Sequence, residues 1–183
     1  MNSVDRLLKQ YEKHIAIPWN STAAAAQRVV FCVYHEKEEL KLRARIEEFE
    51  IATSNAGHDW ILFDVTDTFA AWLSSQRYVR KYYEQPRLLT PLLPRYLDYI
   101  HNEFISLLDG RKSTENCVVA IHGVGSLFGL VKVKDVVDLI APLVKGRLLV
   151  FFPGNCENNN YRLLDGYDGW NYLAVLLTGN SDV

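Results

Sequence analysis

The chain has 183 residues, of which 49% are hydrophobic and 23% are charged, and its formal net charge is −2. This composition excludes a disordered chain, and the near-neutral charge gives no overall attraction to nucleic acid or anionic lipid, so such binding would need a local patch. The length suits one domain, residues 1–183, with a single core.

The first 14 residues mix both charge signs and lack the apolar core of a signal peptide, and no apolar stretch reaches about 18 residues. We therefore expect neither secretion nor contact with a membrane. Three cysteines, Cys32, Cys117 and Cys156, are scattered without a CxxC pair. This pattern favours reduced thiols and a cytoplasmic protein.

Apolar periodicity divides the chain into helices and strands. Short, continuously apolar runs predict strands buried on both faces, and spacings of three and four predict amphipathic helices. The predicted elements in chain order are an N-terminal amphipathic helix ending before Pro18, a strand at 28–34, a helix over 35–57, a strand at 59–65, helical spacing from 66 to Pro86, a long helix from Leu93 to Leu108, a strand at 117–121, a helix over about 132–144, a strand at 146–154, a polar loop at 155–171 and a strand at 172–177.

Five apolar strands separated by helical patterns predict an α/β fold. We expect a three-layer sandwich with a mostly parallel five-stranded sheet, helices on both faces and right-handed crossovers. In such sheets ligands bind at the carboxyl ends of the strands, so the residues that follow each strand are the candidate site residues.

The segment YHEKEE, residues 34–39, follows the first strand, where a P-loop protein carries its phosphate-binding loop. That loop reads GxxxxGK[ST], because its backbone amides and lysine neutralise phosphate and its hydroxyl holds magnesium. The segment has no glycine and carries three acidic residues. It would repel phosphate.

The segment GVGSLFG, residues 123–129, follows the third strand and misses the GxGxxG spacing by one place. No acidic residue ends the next strand, where a ribose contact would lie. Two interpretations remain open: the backbone at Gly123, Gly125 and Ser126 binds an anion, or the glycines form a tight turn with positive φ. We favour the turn.

Other polar residues at strand ends permit weaker hypotheses. His35, Asp64, Asp67 and His122 would meet at one edge of the sheet and could bind a divalent metal, but turns and helix caps explain the aspartates equally well. Cys156 with His122 would pair a nucleophile with a base, but no acyl-transfer motif surrounds them. We predict no catalytic residues, no metal and no cofactor.

Residues 77–95 combine five basic residues with three tyrosines and a single acidic residue, Glu84. The candidate partner-binding residues are Arg77, Arg80, Lys81, Tyr82, Tyr83 and Arg87. Arginine and tyrosine are enriched at protein-binding hot spots and also stack on nucleic-acid bases. Three interpretations stay open: an ordinary solvated helix, a protein interface and a nucleic-acid surface.

The polar stretch at 154–171 predicts a long ordered loop, and loops of this length are often functional. In the alternative interpretation, Tyr161, Leu163, Leu164 and Trp170 only close the end of the sheet.

Three segments, residues 29–50, 121–140 and 147–177, resemble the BrxB family of BREX bacteriophage-defence systems. The resemblance lies in the order and spacing of a strand with an acidic helix, a glycine turn after the third strand and an FFPG element, and it covers most of the chain. It implies a P-loop-like topology without the phosphate loop and a non-catalytic subunit of a larger complex. The implied partners are a PglZ-like phosphatase-fold protein and a BrxC-like ATPase, and no catalytic set carries over.

Two functional hypotheses follow. The first is an adaptor that docks a defence protein without turnover. The alternative is a nucleotide- or nucleic-acid-binding protein that uses the strand ends and the loop from Gly123 to Gly129. The acidic segment at 34–39 and the absence of the GK[ST] lysine of a phosphate-binding loop favour the adaptor.

Overall fold

The computed structural model describes residues 2–20, 22–170 and 174–179. The helices are α1 (Ser3–Ile15), α2 (Glu39–Arg43), α3 (Ile46–Asn55), α4 (Thr68–Ser74), α5 (Val79–Glu84), α6 (Leu93–Arg111) and α7 (Val133–Ile140). The strands are β1 (Val29–Tyr34), β2 (Asp59–Asp64), β3 (Cys117–His122), β4 (Arg147–Glu157), β5 (Asn160–Leu163), β6 (Gly166–Trp170) and β7 (Val175–Thr178).

Five parallel strands form the main sheet in the order β2-β3-β4-β1-β7, which confirms the predicted α/β fold. The chain leaves β1 near one side, crosses to the far edge at β2, and returns through β3 and β4 before it reaches β7. Strands β5 and β6 are antiparallel and extend from the end of β4.

Helices cover both faces of the sheet, so the predicted three-layer sandwich is confirmed. On one face α1, α2 and α3 pack against the sheet around Tyr11, Phe49 and Phe151. On the other face α4, α6 and α7 pack around Phe31 and Phe104. The central strands β1 and β3 are buried at every residue, which explains their continuously apolar sequences.

Two predicted helices are each divided. The helix expected over 35–57 consists of α2 and α3, because the regular hydrogen bonding stops at Ala44 and Arg45. The helical spacing from 66 to Pro86 is split into α4 and α5 by a turn. Apolar periodicity persists across the first break because α2 and α3 bury residues in the same cluster against the sheet.

The prediction of a long polar loop at 155–171 is wrong. Strand β4 continues to Glu157, and Asn158 and Asn159, with φ of 49° and 62°, form a two-residue turn into β5. Asparagine tolerates positive φ, and hairpins with two such residues match the twist of their strands. The asparagines are therefore a hairpin turn within a β-extension.

The other interpretation of this stretch, that it closes the end of the sheet, is supported. Tyr161 and Leu163 are buried in the core, and Leu164 packs against it. The side chain of Trp170 lies outside the described part of the chain, as do residues 171–173, where the last strand was predicted to begin. Among the described residues, no helix is long and apolar enough to cross a bilayer.

Candidate functional site

A crevice of about 350 Å³ lies where the carboxyl ends of β1 to β4 meet. Its wall includes Glu36, Glu39, Arg43, Thr66, Gly123 and Ser126. This is the position at which open parallel sheets bind ligands. We call it the carboxyl-edge crevice.

His122 ends β3 beside this crevice and is only 3% exposed. Its Nδ1 lies 3.6 Å from Asp64 Oδ1, because Asp64 is its register partner on β2. Its Nε2 lies 3.5 Å from Glu39 Oε1 and has no hydrogen-bond partner in the described structure. The imidazole therefore sits between two carboxylates without a well-formed hydrogen bond at Nε2.

Glu39, which sequence analysis missed, organises this cluster. It accepts hydrogen bonds from the Tyr34 hydroxyl and from Arg43 Nη2, the latter at 3.2 Å. The adjacent His122 imidazole, more than these two donors, lowers the pKa of Glu39 to about 2 against the opposing effect of burial. The available signal was its place in the first helical turn after β1, four residues before Arg43.

Asp64 also remains a carboxylate. Burial alone would raise its pKa, but the Thr66 hydroxyl and backbone N–H donate to it, and the net effect is a lowered pKa. Asp64 thus forms the turn that the sequence suggested, while it also faces His122.

The four candidate metal ligands do not come together as a group. His35 is exposed and accepts a hydrogen bond from the Lys37 amide, and Asp67 stands at the start of α4 without a capping hydrogen bond from its side chain. Only Asp64 and His122 are neighbours. Within the described ranges, no group of three or more histidine, cysteine or acidic side chains is arranged to hold a metal ion.

The glycine segment after β3 is a closed turn. Gly123 has φ of +82°, and a Cβ at this position would lie 2.2 Å from Thr66 Oγ1 and 2.9 Å from Asp64 Oδ1. The backbone amide and hydroxyl of Ser126 both donate to the Gly123 carbonyl. Gly125 lies against Pro153, with 3.4 Å between a built Cβ and Pro153 Cγ. These contacts support the interpretation of the glycines as a tight turn over their interpretation as an anion-binding site.

Cys156 lies in the β4 extension opposite Tyr161. Burial raises the pKa of its thiol, so the nucleophilic thiolate is disfavoured. Cys32 and Cys117 are buried in central strands, and all three cysteines are free thiols.

The six candidate partner-binding residues lie on and around α5, and we call them the α5 surface. Arg77, Arg80, Lys81, Tyr83 and Arg87 are exposed, whereas Tyr82 is half-buried and packs against the core. None of the four basic residues lies within 4 Å of a described carboxylate. Five of the six candidate residues are therefore exposed to solvent.

Comparison with protein-family models, curated proteins and solved structures found no match to this chain.

Proposed function

We propose that the protein is a non-catalytic adaptor of a BREX-type anti-phage defence complex, which docks a PglZ-like phosphatase-fold protein or a BrxC-like ATPase through the α5 surface. The resemblance of residues 29–50, 121–140 and 147–177 to the BrxB family supports the choice of complex and partners.

One observation carries the choice of surface. Residues 74–95 form 22 consecutive positions without a single buried side chain, and they carry a net charge of +4 in a chain whose total is −2. Helix α5 and the 3-10 helix Pro86–Leu92, together with the turn before α5, contribute only partly buried residues to the core and are free to contact another molecule. A positive surface of this kind complements an acidic partner and steers its encounter.

Tyr83 is the aromatic centre of this surface. Tyr83 is 65% exposed and Tyr78 is 57% exposed. The guanidinium of Arg77 lies over the Tyr78 ring, 5.3 Å from its centre. Exposed tyrosines flanked by arginines combine apolar area with hydrogen-bonding capacity, as interface hot spots do.

The carboxyl-edge crevice supports a non-catalytic role. The low pKa of Glu39 fixes a negative charge where a P-loop protein binds phosphate, and the segment at 34–39 has neither the glycines nor the GK[ST] ending of the phosphate-binding loop. The two carboxylates beside His122 disfavour a nucleotide phosphate there. The adaptor hypothesis is therefore favoured over nucleotide binding at the strand ends.

The test is co-purification of the tagged protein from cells that carry its native operon, at moderate salt and with nuclease present. We expect a stoichiometric PglZ-like or ATPase partner. Replacing Arg77, Arg80 and Tyr83 together by alanine should weaken binding of that partner by about 2–4 kcal/mol, measured by calorimetry on the purified pair.

The matched control replaces Lys9, Arg111 and Tyr167 by alanine, which removes the same charge and one exposed tyrosine elsewhere. Equal affinity of the two triple variants, with both folded by circular dichroism, would exclude the α5 surface. Companions that disappear on nuclease treatment would instead indicate a nucleic-acid surface.

A further inference from the structure

A second pocket, of about 340 Å³, lies at the opposite edge of the sheet, where β1, β3 and β4 begin. We call it the amino-edge pocket. Topology brings its residues together: Arg28 directly precedes β1, Asn116 directly precedes β3, and Lys145 and Arg147 flank the start of β4. Because β4 lies between β1 and β3, these side chains converge from three adjacent strands.

Three cations line this pocket without a counter-ion. Arg28, Lys145 and Arg147 form no ion pair with any carboxylate in the described part of the chain. Glu115, the acidic residue on the wall, is exposed and lies beyond 4 Å from all three basic groups. The pocket therefore concentrates positive charge that the described part of the chain does not pair with a carboxylate.

Burial makes this arrangement costly. Among the described residues, the buried Nε of Arg28 has no hydrogen-bond partner, and its Nη1 donates to the Lys145 carbonyl at 3.4 Å. Burial, and then the charge of Arg28, lower the pKa of Arg147. An unsatisfied donor and repelling cations are each destabilising, and a bound anion would relieve both.

One wall of the pocket is rigid and aromatic. The Trp19 indole stacks on the His58 ring at 3.7 Å, and the Arg147 guanidinium lies 4.7 Å from the centre of the indole. His58 is itself held by Asn116, with 2.6 Å between His58 Nδ1 and Asn116 Oδ1. These contacts fix the guanidinium of Arg147 before any ligand arrives, and this preorganisation lowers the cost of binding.

The cluster selects the charge of its ligand. A carboxylate carries one negative charge, whereas a phosphomonoester carries about 1.5 to 2 at neutral pH and presents three oxygens. Guanidinium groups match those oxygens with paired N–H donors. We propose that the amino-edge pocket binds a terminal phosphoryl group, either of a small phosphorylated ligand or of a nucleic-acid end.

Calorimetric titration with inorganic pyrophosphate at about 150 mM salt tests the site on the full chain. We expect binding with a Kd below about 1 mM. Arg28→Gln and Arg147→Gln should each weaken it at least tenfold, and Lys145→Gln, at an exposed position, keeps the test valid if an arginine variant at a partly buried position fails to fold. Arg95→Gln is the control, since it removes an exposed guanidinium at the start of α6 and should leave affinity unchanged.

A second titration identifies the source of the phosphoryl group. Short single-stranded oligonucleotides with and without a 5′-phosphate are compared: tighter binding of the phosphorylated strand supports a nucleic-acid end, and pyrophosphate binding without this preference supports a small ligand. The proposal is overturned if pyrophosphate does not bind the wild-type chain, or if Arg95→Gln weakens binding as much as Arg28→Gln does.

Discussion

The charged groups at the two edges of the sheet are paired in opposite ways. At the carboxyl edge, Glu39 and Asp64 flank His122, and Arg43 contacts Glu39, so opposite charges meet within the fold. At the amino edge, Arg28 and its neighbouring cations have no described carboxylate within 4 Å. The carboxyl edge therefore pairs its charges within the fold, whereas the amino edge leaves three cations without a described counter-ion, which is the basis of the anion-binding proposal.

The largest expected effect comes from a substitution in the turn that follows β3 at the carboxyl edge. Gly123→Ala forces a Cβ into Thr66 and Asp64 at positive φ, whereas Gly129→Ala meets the same backbone constraint, with φ of +75°, but open space. We expect losses in the free energy of unfolding of about 3 kcal/mol at residue 123 and about 1 kcal/mol at residue 129. Urea denaturation measures both, and equal losses would show that contact with Asp64 and Thr66 is unimportant.

A smaller effect concerns how the stability of the carboxyl edge depends on pH. Because the pKa of Glu39 falls from 4.5 to about 2 on folding, its stabilisation is fully present above about pH 4.5 and is lost as the pH falls towards 2. The side chain is 28% exposed, so we expect about 2 kcal/mol after solvent screening. Stability measured between pH 2 and 6 should fall less steeply in Glu39→Gln than in the wild type.

The control for this experiment is Glu50→Gln, which removes an exposed carboxylate from α3. Its acid profile should follow that of the wild type. If Glu39→Gln and the wild type lose stability in parallel, the carboxyl edge does not depend on the ionised form of Glu39.

The smallest expected effect is a change in the pKa of His14, which measures the positive charge at the amino edge. Burial, and then the charge of Arg147, lower the pKa of His14 near the end of α1. Arg147→Gln should raise the pKa of His14 in an NMR titration, although burial will keep it below its ordinary value. Arg147→Lys retains the charge and serves as control. An unchanged His14 titration in Arg147→Gln would mean that the positive field of this edge is weak.

Sequence patterns predicted the sheet well because its central strands β1, β3 and β4 are buried on both faces over most of their length and are therefore continuously apolar. They predicted the hairpin badly, since Asn158 and Asn159 have the composition of a loop and only their backbone pairing makes them a turn. At the candidate site, strand ends were a sound guide to Asp64 and His122. Glu39 lies on the following helix among several acidic residues, and its spacing of four from Arg43 predicts an ion pair but not the contact with His122.

The sequence by itself determined the α/β class, the missing phosphate loop at residues 34–39 and the basic stretch around α5, because periodicity, composition and local charge are properties of neighbouring residues. Only the tertiary structure decided which charges neutralise one another. His122 meets Glu39 across 83 positions, and Arg28 meets Lys145 across 117. Such distances close only when parallel strands align their ends, so the paired edge and the unpaired edge are both products of strand order.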